Sequence, residues 1–575
     1  MIPAANSANN LTSNDVDSSQ WATLAQVLAA TLSQGQSQDL NLSNQSGSRW
    51  WAAYQDIMAC PEVVALPFAQ WRLDSRQIQS GDGFVLLKSQ SQQSNEQAPI
   101  DRSRKFAQQA GDKAAFILSE IDPKLLNTNE APLLLNCPIV YVPDIRHILG
   151  SLIQASLQLS YQVHQEPSQS ATLSLPKVVA VTGTNGKTTI SQLIAQLCQG
   201  AGMSSAIMGT AGNGRLGHLQ QASHTTGDAL AVQQFLQQMA LEKVDILSLE
   251  ASSHGLDQLR LQGVPVAVAI YSNLSRDHLD YHADMSEYAD AKARLFDRYY
   301  FPDLTHAIIN LDDKFAPIMI KRAEDSGLKV WTYSLNAHNE EKASQGTVKA
   351  DFTARQIRPS LEGARVEIDS PMGQFWVDSP LLGRFNVANL LAAIAAAVAL
   401  GVDVTRLANL VAELQGANGR MQRIQSDKGC FIVDYAHTPD ALTQVLTSLK
   451  AHCSGQLWAV FGCGGDRDTG KRPLMAQAGL AQADRVILTS DNPRSENPLD
   501  ILQDMQAGMT DEQHSRTHIE PDREQAIFYA VQHVAPEDIV VIAGKGHETY
   551  QEIKGVRHDF DDTVVVREAL RQHAN

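Results

Sequence analysis

The sequence has few cysteines, and they are not arranged as metal ligands. Six cysteines occur in 575 residues, and none forms a C-x-x-C pair. They are Cys60, Cys137, Cys198, Cys430, Cys453 and Cys463. Zinc sites and disulfide frameworks use paired or regularly spaced cysteines, so neither is indicated.

Targeting signals, long apolar runs and excess positive charge are also missing. The N-terminus lacks a charged stretch followed by an apolar run, and no uninterrupted apolar run is long enough to span a bilayer. The formal net charge is −17, whereas nucleic acids and anionic membranes require a broad basic face. We therefore expect a cytoplasmic protein that neither binds nucleic acid nor inserts stably into membranes. The sequence says nothing direct about oligomeric state, and a monomer is our expectation.

Polar segments divide the chain into predicted domains. Residues 1–48 are rich in Ser, Asn and Gln, so we expect a mobile segment with one helix near residues 21–32 that can dock. A polar insert at 88–104 interrupts the first domain, and a Pro-containing stretch at 164–177 ends it. The predicted domains are 49–172, 173–415 and 416–575.

Short β-branched runs alternate with helical patterns from Val178 onward, which predicts an α/β fold with parallel sheets and crossover helices. Ligands of such sheets bind beyond the carboxyl ends of the strands. The predicted strands are followed by residues 183–189, Glu250 and residues 274–282, and later by "GCGGDRD", "DNPR" and "GKGHE". Two active faces are therefore predicted, one on each larger sheet.

"VTGTNGKTT" at 181–189 predicts a phosphate-binding loop, although Val181 stands where the full pattern has its first glycine. Glycines let backbone N–H groups face phosphate oxygens, Lys187 would reach the β- and γ-phosphates, and Thr188 would bind Mg²⁺. The predicted ATP-binding residues here are Gly183, Thr184, Asn185, Gly186, Lys187, Thr188 and Thr189.

The local sequence leaves the roles of Glu250, His278 and Lys292 open. Glu250 closes a predicted strand, where a carboxylate commonly holds the magnesium of a nucleotide. His278 follows the next strand and is either a second metal ligand or a core or capping histidine. Lys292 lies on a predicted helix, and the residues alone favour a solvated surface lysine.

The last third supplies candidates for nucleotide and amino-acid binding. In "GRFNVANLLAA", Asn389 either caps the helix or contacts an adenine edge, and Arg420 and Asp434 would close the ATP site from a second domain. Arg494 in "DNPR" carries a planar fork suited to a carboxylate. Glu548 would hold an ammonium, so the two together indicate an amino-acid site.

A series of motifs runs along the chain. In chain order they are "LDSR" (73–76), "GTNGKTT", "EASSHGLDQLR", "SRDHLDYH", "GRMQ", "DYAHTPDAL", "GCGGDRD", "DNPR" and "GKGHETYQ" (544–551). The series resembles that of the Mur ligases of peptidoglycan synthesis. The similarity is greatest to members that add 2,6-diaminopimelate. It implies a small N-terminal α/β domain for the UDP moiety, a central P-loop ATPase-like domain and a C-terminal Rossmann-like domain for the incoming amino acid. ATP and Mg²⁺ are the implied cofactors.

The resemblance also implies roles for residues at the matching motif positions. The UDP-substrate would contact Leu73, Ser75, Thr225, Thr226, Ser252, Gln258 and Arg260. Thr188, Glu250, His278 and a carbamylated Lys292 would bind magnesium, and Lys187, Glu250, His278 and Lys292 would be catalytic. A carbamate converts a repelling ammonium into an anion that can bind the metal. The diaminopimelate site would comprise Arg467, Asp491, Asn492, Pro493, Arg494, Gly544 and Glu548.

The implied reaction joins meso-diaminopimelate to the D-glutamyl γ-carboxylate of UDP-N-acetylmuramoyl-L-alanyl-D-glutamate through an acyl phosphate. Alternatives are a lysine-adding Mur ligase, a folylpolyglutamate-synthase-like ligase and an ATP-regulated binding protein without catalysis. Two departures from the family pattern are His224, where an asparagine is expected, and the polar insert after "GFVLL". They affect the substrate-side contacts.

Overall fold

The computed structural model describes eight stretches of the chain. These are residues 21–37, 48–89, 97–127, 132–163, 173–222, 224–336, 349–360 and 362–574. They form three α/β units in chain order, each built on its own sheet, which confirms the predicted fold class. Within these stretches, no helix is both long and apolar enough to cross a membrane.

The first unit has four parallel strands in the order β1-β2-β3-β4. The strands are β1 (Trp71–Arg72), β2 (Gly83–Leu86), β3 (Phe116–Ser119) and β4 (Ile139–Tyr141). The helices are α1 (Leu24–Ser37), α2 (Arg49–Met58), α3 (Pro61–Val64), α4 (Gln97–Gly111), α5 (Pro123–Leu126) and α6 (Leu149–Val163), with 3₁₀ turns at Ser75–Gln77 and Ile145–His147.

Helix α1 packs into the core of this first unit. Val27 and Leu28 follow Leu24 by about one helical turn, and all three are at most 1% exposed, so one apolar stripe faces the core. The helix falls within residues 1–48, so the core includes part of that segment. The expectation of mobility also covers residues 1–20 and 38–47, which lie outside the described residues.

The second unit is built on a ten-stranded sheet in the order β14-β13-β12-β11-β10-β9-β5-β8-β6-β7. Its strands are β5 (Lys177–Thr182), β6 (Ser205–Gly209), β7 (Gly212–Arg215), β8 (Ile246–Glu250), β9 (Val266–Tyr271), β10 (His306–Asn310), β11 (Lys329–Ser334), β12 (Phe352–Ser360), β13 (Gly363–Ser370) and β14 (Gly373–Ser379). Its helices are α7 (Lys187–Gly200), α8 (Ala229–Leu241), α9 (Ser253–Asp257), α10 (Met285–Ala293), α11 (Ala316–Asp325), α12 (Arg384–Ala399) and α13 (Val404–Ala412), with a 3₁₀ turn at Arg294–Phe296.

Strand β5 lies in the middle of this sheet between β8 and β9, and all three are parallel. It is buried on both faces, because helices cover both sides of a parallel sheet. The alanine-rich α12 lies against α7, where its small side chains permit close packing. This helix is buried and stops before Gly401, whose φ of 97° favours glycine.

The third unit has a six-stranded sheet in the order β15-β16-β20-β17-β18-β19 and a separate hairpin. The strands are β15 (Gln422–Ser426), β16 (Gly429–Asp434), β17 (Leu457–Phe461), β18 (Arg485–Leu488), β19 (Thr517–Ile519) and β20 (Ile539–Ala543), and the hairpin comprises β21 (Tyr550–Ile553) and β22 (Val556–Asp559). The helices are α14 (Pro439–Lys450), α15 (Lys471–Gln482), α16 (Pro498–Gln506), α17 (Asp511–Ser515), α18 (Arg523–His533) and α19 (Asp562–Ala574).

Candidate functional site

The phosphate loop connects the end of β5 to the start of α7. Gly183 and Gly186 have φ values of 151° and 89°, which L-residues rarely adopt. A Cβ at Gly183 would lie 1.9 Å from Ser272 Oγ, and one at Gly186 would lie 2.6 Å from Asn389 Oδ1. Both glycines are therefore required for the loop to lie this close to its neighbours, and the N-terminus of α7 faces a site suited to phosphate.

Two lysine amines converge on this loop. Lys187 Nζ donates to the carbonyl oxygen of Gly183 at 2.9 Å, and Lys292 Nζ donates to the same oxygen at 2.9 Å. Lys292 is 1% exposed, so the interpretation of this residue as a solvated surface lysine is wrong. Burial and the charge of Lys187 hold the pKa of Lys292 well below its usual value, and burial also lowers the pKa of Lys187.

Glu250 lies at the end of β8, next to the phosphate loop, and is 1% exposed. Its Oε1 accepts from Thr210 N at 2.9 Å, and its Oε2 accepts from the Thr210 hydroxyl at 3.1 Å. The same hydroxyl lies 3.0 Å from the hydroxyl of Thr225. Thr210 thus fixes the carboxylate orientation from one side and connects it to the predicted substrate-binding threonines.

His278 has a φ of 55° and lies beside Asp277, whose Oδ2 is 3.6 Å from its Nε2. Its ring contacts that of His254 edge-on at 5.0 Å and that of Tyr288 at 5.9 Å. Burial lowers the pKa of His278 to about 3, although the carboxylate of Asp277 acts in the opposite direction. The imidazole is therefore neutral at pH 7, which is the form that binds a metal.

The donor set around the loop is suited to magnesium rather than to a fully protein-bound metal. Nowhere in the described part of the chain do three His, Cys, Asp or Glu side chains cluster as a metal site. Magnesium usually keeps several waters and takes one or two carboxylates together with substrate phosphates. Glu250 and the hydroxyl of Thr188 supply oxygen ligands of this kind, and the imidazole of His278 is a further candidate ligand.

Arg420 extends from the third unit to the phosphate loop. Its Nη2 is 3.4 Å from Thr188 Oγ1, its guanidinium lies 4.4 Å from the centre of the Tyr435 ring, and its buried Nε has no hydrogen-bond partner. Asp434 contacts the backbone instead: its two carboxylate oxygens accept hydrogen bonds from the backbone N–H groups of Met421 and Ala436, at 2.7 and 2.8 Å. Asp434 thus shapes the loop that carries Arg420.

A cavity of about 920 Å³ adjoins the phosphate loop between the second and third units. Residues from both units line it, among them Asn185, Tyr333, Phe385, Asn389, Asp440 and His452. Asn389 Nδ2 donates to Asn386 Oδ1 at 3.0 Å, and Asn386 Nδ2 donates to the carbonyl oxygen of Leu382 at 2.7 Å. Asn386 therefore secures the helix start, while Asn389 lines the cavity.

A second cavity, of about 480 Å³, lies between the first and second units. Its lining includes Leu73, Arg146, His254, Gln258, Arg260 and Tyr281. Three predicted UDP-substrate residues, Leu73, Gln258 and Arg260, therefore share one cavity. Ser75 is buried, and its hydroxyl donates to Gln109 Oε1 at 2.8 Å.

Hydrogen bonds join the remaining predicted substrate residues to this cavity. Arg260 Nη1 donates to the carbonyl oxygen of Thr226 at 3.0 Å, and its Nη2 donates to Gln258 Oε1 at 2.7 Å. The Thr226 hydroxyl donates to the carbonyl oxygen of Glu250 at 2.7 Å and accepts from Ser252 N at 3.0 Å. This network connects the cavity with the strand end that carries Glu250.

The predicted amino-acid residues lie where three loops of the third unit meet. Asn492 Nδ2 donates to Glu548 Oε2 at 2.9 Å. A Cβ at Gly544 would lie 3.2 Å from Asp491 Oδ2, so the loop after β20 packs closely against "DNPR". Burial and the neighbouring Asp491 raise the pKa of Glu548.

Arg494 and Arg467 belong to the same cluster. Arg494 has a φ of 50°, and its Nη1 donates to the carbonyl oxygen of Gly465 at 2.7 Å. Arg467 follows on the same loop as Gly465, and a Cβ at Gly465 would lie 2.1 Å from the carbonyl oxygen of Pro493. The loops at 462–467 and 491–494 are therefore in direct contact.

Two charged residues in this region were missed by the sequence reasoning, although both lie in motifs it singled out. Lys545 of "GKGHE" is 0% exposed and lies among the amino-acid residues. Asp277 of "SRDHLDYH" is 3.6 Å from Lys471 Nζ and 3.7 Å from His437 Nε2, both in the third unit. A buried lysine between two glycines, and an acid next to the histidine, were the available signals.

A phosphate loop that faces a second α/β unit with its own charged loops, across a nucleotide-sized cavity, is the arrangement of an ATP-dependent ligase. Two family models match the chain: "Mur ligase middle domain" over residues 181–397 and "Mur ligase, glutamate ligase domain" over residues 419–546. The chain belongs to the Mur ligase family.

Relatives match over nearly their whole length. Two relatives are named UDP-N-acetylmuramoyl-L-alanyl-D-glutamate–2,6-diaminopimelate ligase. The Vibrio vulnificus protein is 40% identical over 89% of this chain and 96% of its own length. The Vibrio parahaemolyticus protein is 38% identical over 88% of this chain and 94% of its own length. A solved structure with the same name is 46% identical, covers 89% of this chain and 96% of its own, and has a TM-score of 0.61.

Proposed function

We propose that this chain uses ATP to add meso-diaminopimelate to UDP-N-acetylmuramoyl-L-alanyl-D-glutamate, a step of peptidoglycan precursor synthesis. The observation that carries the proposal is the placement of the phosphate loop. The cavity lined by Leu73 and Arg260 lies on one side of this loop. The third unit lies on the other side, and its Arg420 reaches Thr188 of the loop. A cytoplasmic monomer is part of the proposal.

The nucleotide would bind with its base in the 920 Å³ cavity and its phosphates on the loop at 183–189. Asn389 would face the base, and Lys187 would turn from its own loop carbonyls to the β- and γ-phosphates. Arg420 supports this assignment, since its Nε has no partner and it contacts Thr188, so it would add a permanent cation beside the same phosphates.

Magnesium would be held by Thr188, Glu250, His278 and a carbamylated Lys292, and it would neutralise charge on the transferred phosphoryl group. The burial of Lys292 supports the modification. An uncharged amine is the form that reacts with CO₂, and the lowered pKa of Lys292 favours that form. The carbamate gains the negative charge that a buried ammonium beside Lys187 cannot supply.

The chemistry needs ATP because an amide does not form from a carboxylate and an amine at neutral pH. An oxygen of the D-glutamyl γ-carboxylate attacks the γ-phosphorus, and the bond to ADP breaks. The diaminopimelate amine then attacks the acyl carbon and loses a proton, after which the C–O bond breaks and phosphate leaves. Lys187 and Arg420 would stabilise the charge that develops in the first step.

The amino acid would be selected by its second carboxylate. Arg494 and Arg467 would bind carboxylates, and Glu548 would bind an ammonium. Lysine lacks the distal carboxylate and would leave a guanidinium without its partner, which strongly favours the substrate that carries the group.

The proposal is tested by ADP release from the purified protein with the UDP-muramoyl-dipeptide and a panel of amino acids. We expect ADP only when meso-diaminopimelate is also present. Turnover with lysine instead would identify a lysine-adding Mur ligase, and turnover with a folate and glutamate would identify a folylpolyglutamate-synthase-like enzyme. ATP binding without ADP release on any combination would indicate a binding protein.

A further inference from the structure

Lys545 occupies the centre of the proposed amino-acid site. It lies in the loop after β20 and its side chain is 0% exposed. Its Nζ donates to the carbonyl oxygen of Tyr550 at 2.7 Å and to Asn492 Oδ1 at 3.0 Å. A buried ammonium is costly unless it is paired, so its position requires an explanation.

Two carboxylates supply that pairing. Lys545 Nζ is 3.5 Å from Asp491 Oδ1 and 3.6 Å from Glu548 Oε2. Asp491 Oδ1 is buried and accepts no hydrogen bond, so the lysine is its counter-ion. The other cations nearby have different partners: Arg523 is paired with Asp562 at 2.7 Å, and Arg420 lies against Thr188 of the phosphate loop. Arg494 donates to the Gly465 carbonyl oxygen and, like Arg467, is assigned to the substrate carboxylates.

The charges of this group have a simple balance. Asp491 and Glu548 bring two negative charges, and Lys545 brings one positive charge. One negative charge remains, which matches one substrate ammonium. Without the lysine, two buried carboxylates would repel each other, and one of them would take up a proton instead of binding the substrate.

We propose that Lys545 is a positioning residue for the incoming amino acid: it neutralises Asp491 and orients Asn492, so that Glu548 alone remains as the anion for the substrate ammonium. This inference rests on the proposed function of the site. Asn492 is the geometric link, because its Oδ1 accepts from Lys545 at 3.0 Å while its Nδ2 donates to Glu548 at 2.9 Å. The lysine, together with the backbone N–H of Glu552 that donates to the same Oδ1 at 2.9 Å, thereby fixes which way the amide points.

The test compares Lys545→Met with a double variant that also carries Asp491→Asn. Lys545→Met should raise KM for diaminopimelate about 10- to 100-fold, the range for loss of a charged partner, and leave KM for ATP unchanged. The double variant again leaves one net negative charge, so its KM should recover at least about tenfold relative to the single variant. Lys450→Met, which removes an exposed ion pair with Asp484 in the same unit, is the matched control.

Thermal melts show whether each variant is folded. If Lys545→Met does not fold, Asp491→Asn alone is compared with the double variant, and the double variant should have the lower KM. An unchanged KM in Lys545→Met, or equal impairment of the single and double variants, would overturn the assignment. Wild-type protein that releases no ADP with diaminopimelate would instead refute the proposed function, so the two failures are distinguishable.

Discussion

Lys187 and Lys292 donate to the same carbonyl oxygen, that of Gly183, although 105 positions separate them in the chain and both would carry a positive charge in water. Two buried ammonium groups this close repel each other, so one amine is favoured in its neutral form. Lys292 is the more enclosed of the two, and its pKa is held well below the usual value. The contact therefore connects the phosphate loop with the predicted modification.

Replacement of Lys187 by alanine should abolish turnover without unfolding the protein. The loop conformation depends on Gly183 and Gly186, whereas Lys187 contributes charge to phosphoryl transfer. We expect ADP formation to fall by at least about 10²-fold, with a melting temperature close to that of the wild type. Activity within a few-fold of wild type would contradict the assignment of the phosphate loop.

Replacement of Lys292 by alanine should remove nearly all activity, and acetate or formate should restore part of it. A small carboxylate would occupy the space of the carbamate and supply its charge. Lys292→Arg is the control, since it keeps a cation and leaves no space for the added anion. In the wild type, ¹³C-labelled bicarbonate should give a carbamate carbon signal that Lys292→Ala lacks; its absence from active wild-type enzyme would refute the modification.

Arg494→Ala should weaken diaminopimelate binding selectively. Loss of a charged, bidentate partner costs about 1.5–3 kcal/mol, which corresponds to a rise in KM of about 10- to 150-fold. KM for ATP should hardly change, and discrimination against lysine should shrink. Steady-state kinetics with both amino acids check this, with Arg485→Ala as a surface control in the same unit. Undiminished preference for diaminopimelate in Arg494→Ala would show that another residue selects the substrate.

As pH falls, amino-acid binding should begin to weaken at a higher pH than the usual pKa of a glutamate would predict. Burial and Asp491 raise the pKa of Glu548, so its carboxylate is protonated at a higher pH than usual. Protonation removes the charge that holds the substrate ammonium, and KM for diaminopimelate should therefore rise as pH falls through that raised pKa. Glu548→Gln should abolish this dependence, and a wild-type KM that stays flat down to about pH 4.3, the usual pKa of glutamate, would contradict it.

Arg420→Ala should lower kcat while KM for diaminopimelate changes little. The guanidinium reaches Thr188 from the third unit, so its loss removes a cation from the phosphate side of the site. We expect a fall in kcat of about 10²-fold, as for other groups that stabilise transition-state charge. A large rise in KM for diaminopimelate with kcat intact would place Arg420 in the amino-acid site instead.

Much of this arrangement could be predicted because it is local in sequence. The phosphate loop, the glutamate at the end of β8 and the loops after β17, β18 and β20 all follow apolar strands. Parallel strands bring such ends to one edge of a sheet.

The remainder depends on contacts that no local pattern contains. The burial of Lys292 results from packing of α10 against a loop more than 100 residues earlier, and the sequence of α10 does not show which side faces that loop. The charge balance among Lys545, Asp491 and Glu548 depends on contacts between two separate loops. The residues alone favoured a surface position for Lys292, and only the family resemblance predicted that it belongs to the catalytic site.

Transfer of oxygen from substrate to phosphate tests the central claim most directly. UDP-N-acetylmuramoyl-L-alanyl-D-glutamate carrying ¹⁸O in both oxygens of the γ-carboxylate would be converted with ATP and meso-diaminopimelate, and the products analysed by mass spectrometry. An acyl phosphate requires one ¹⁸O in the released phosphate and one in the new amide. Unlabelled phosphate, or label in AMP, would contradict the account.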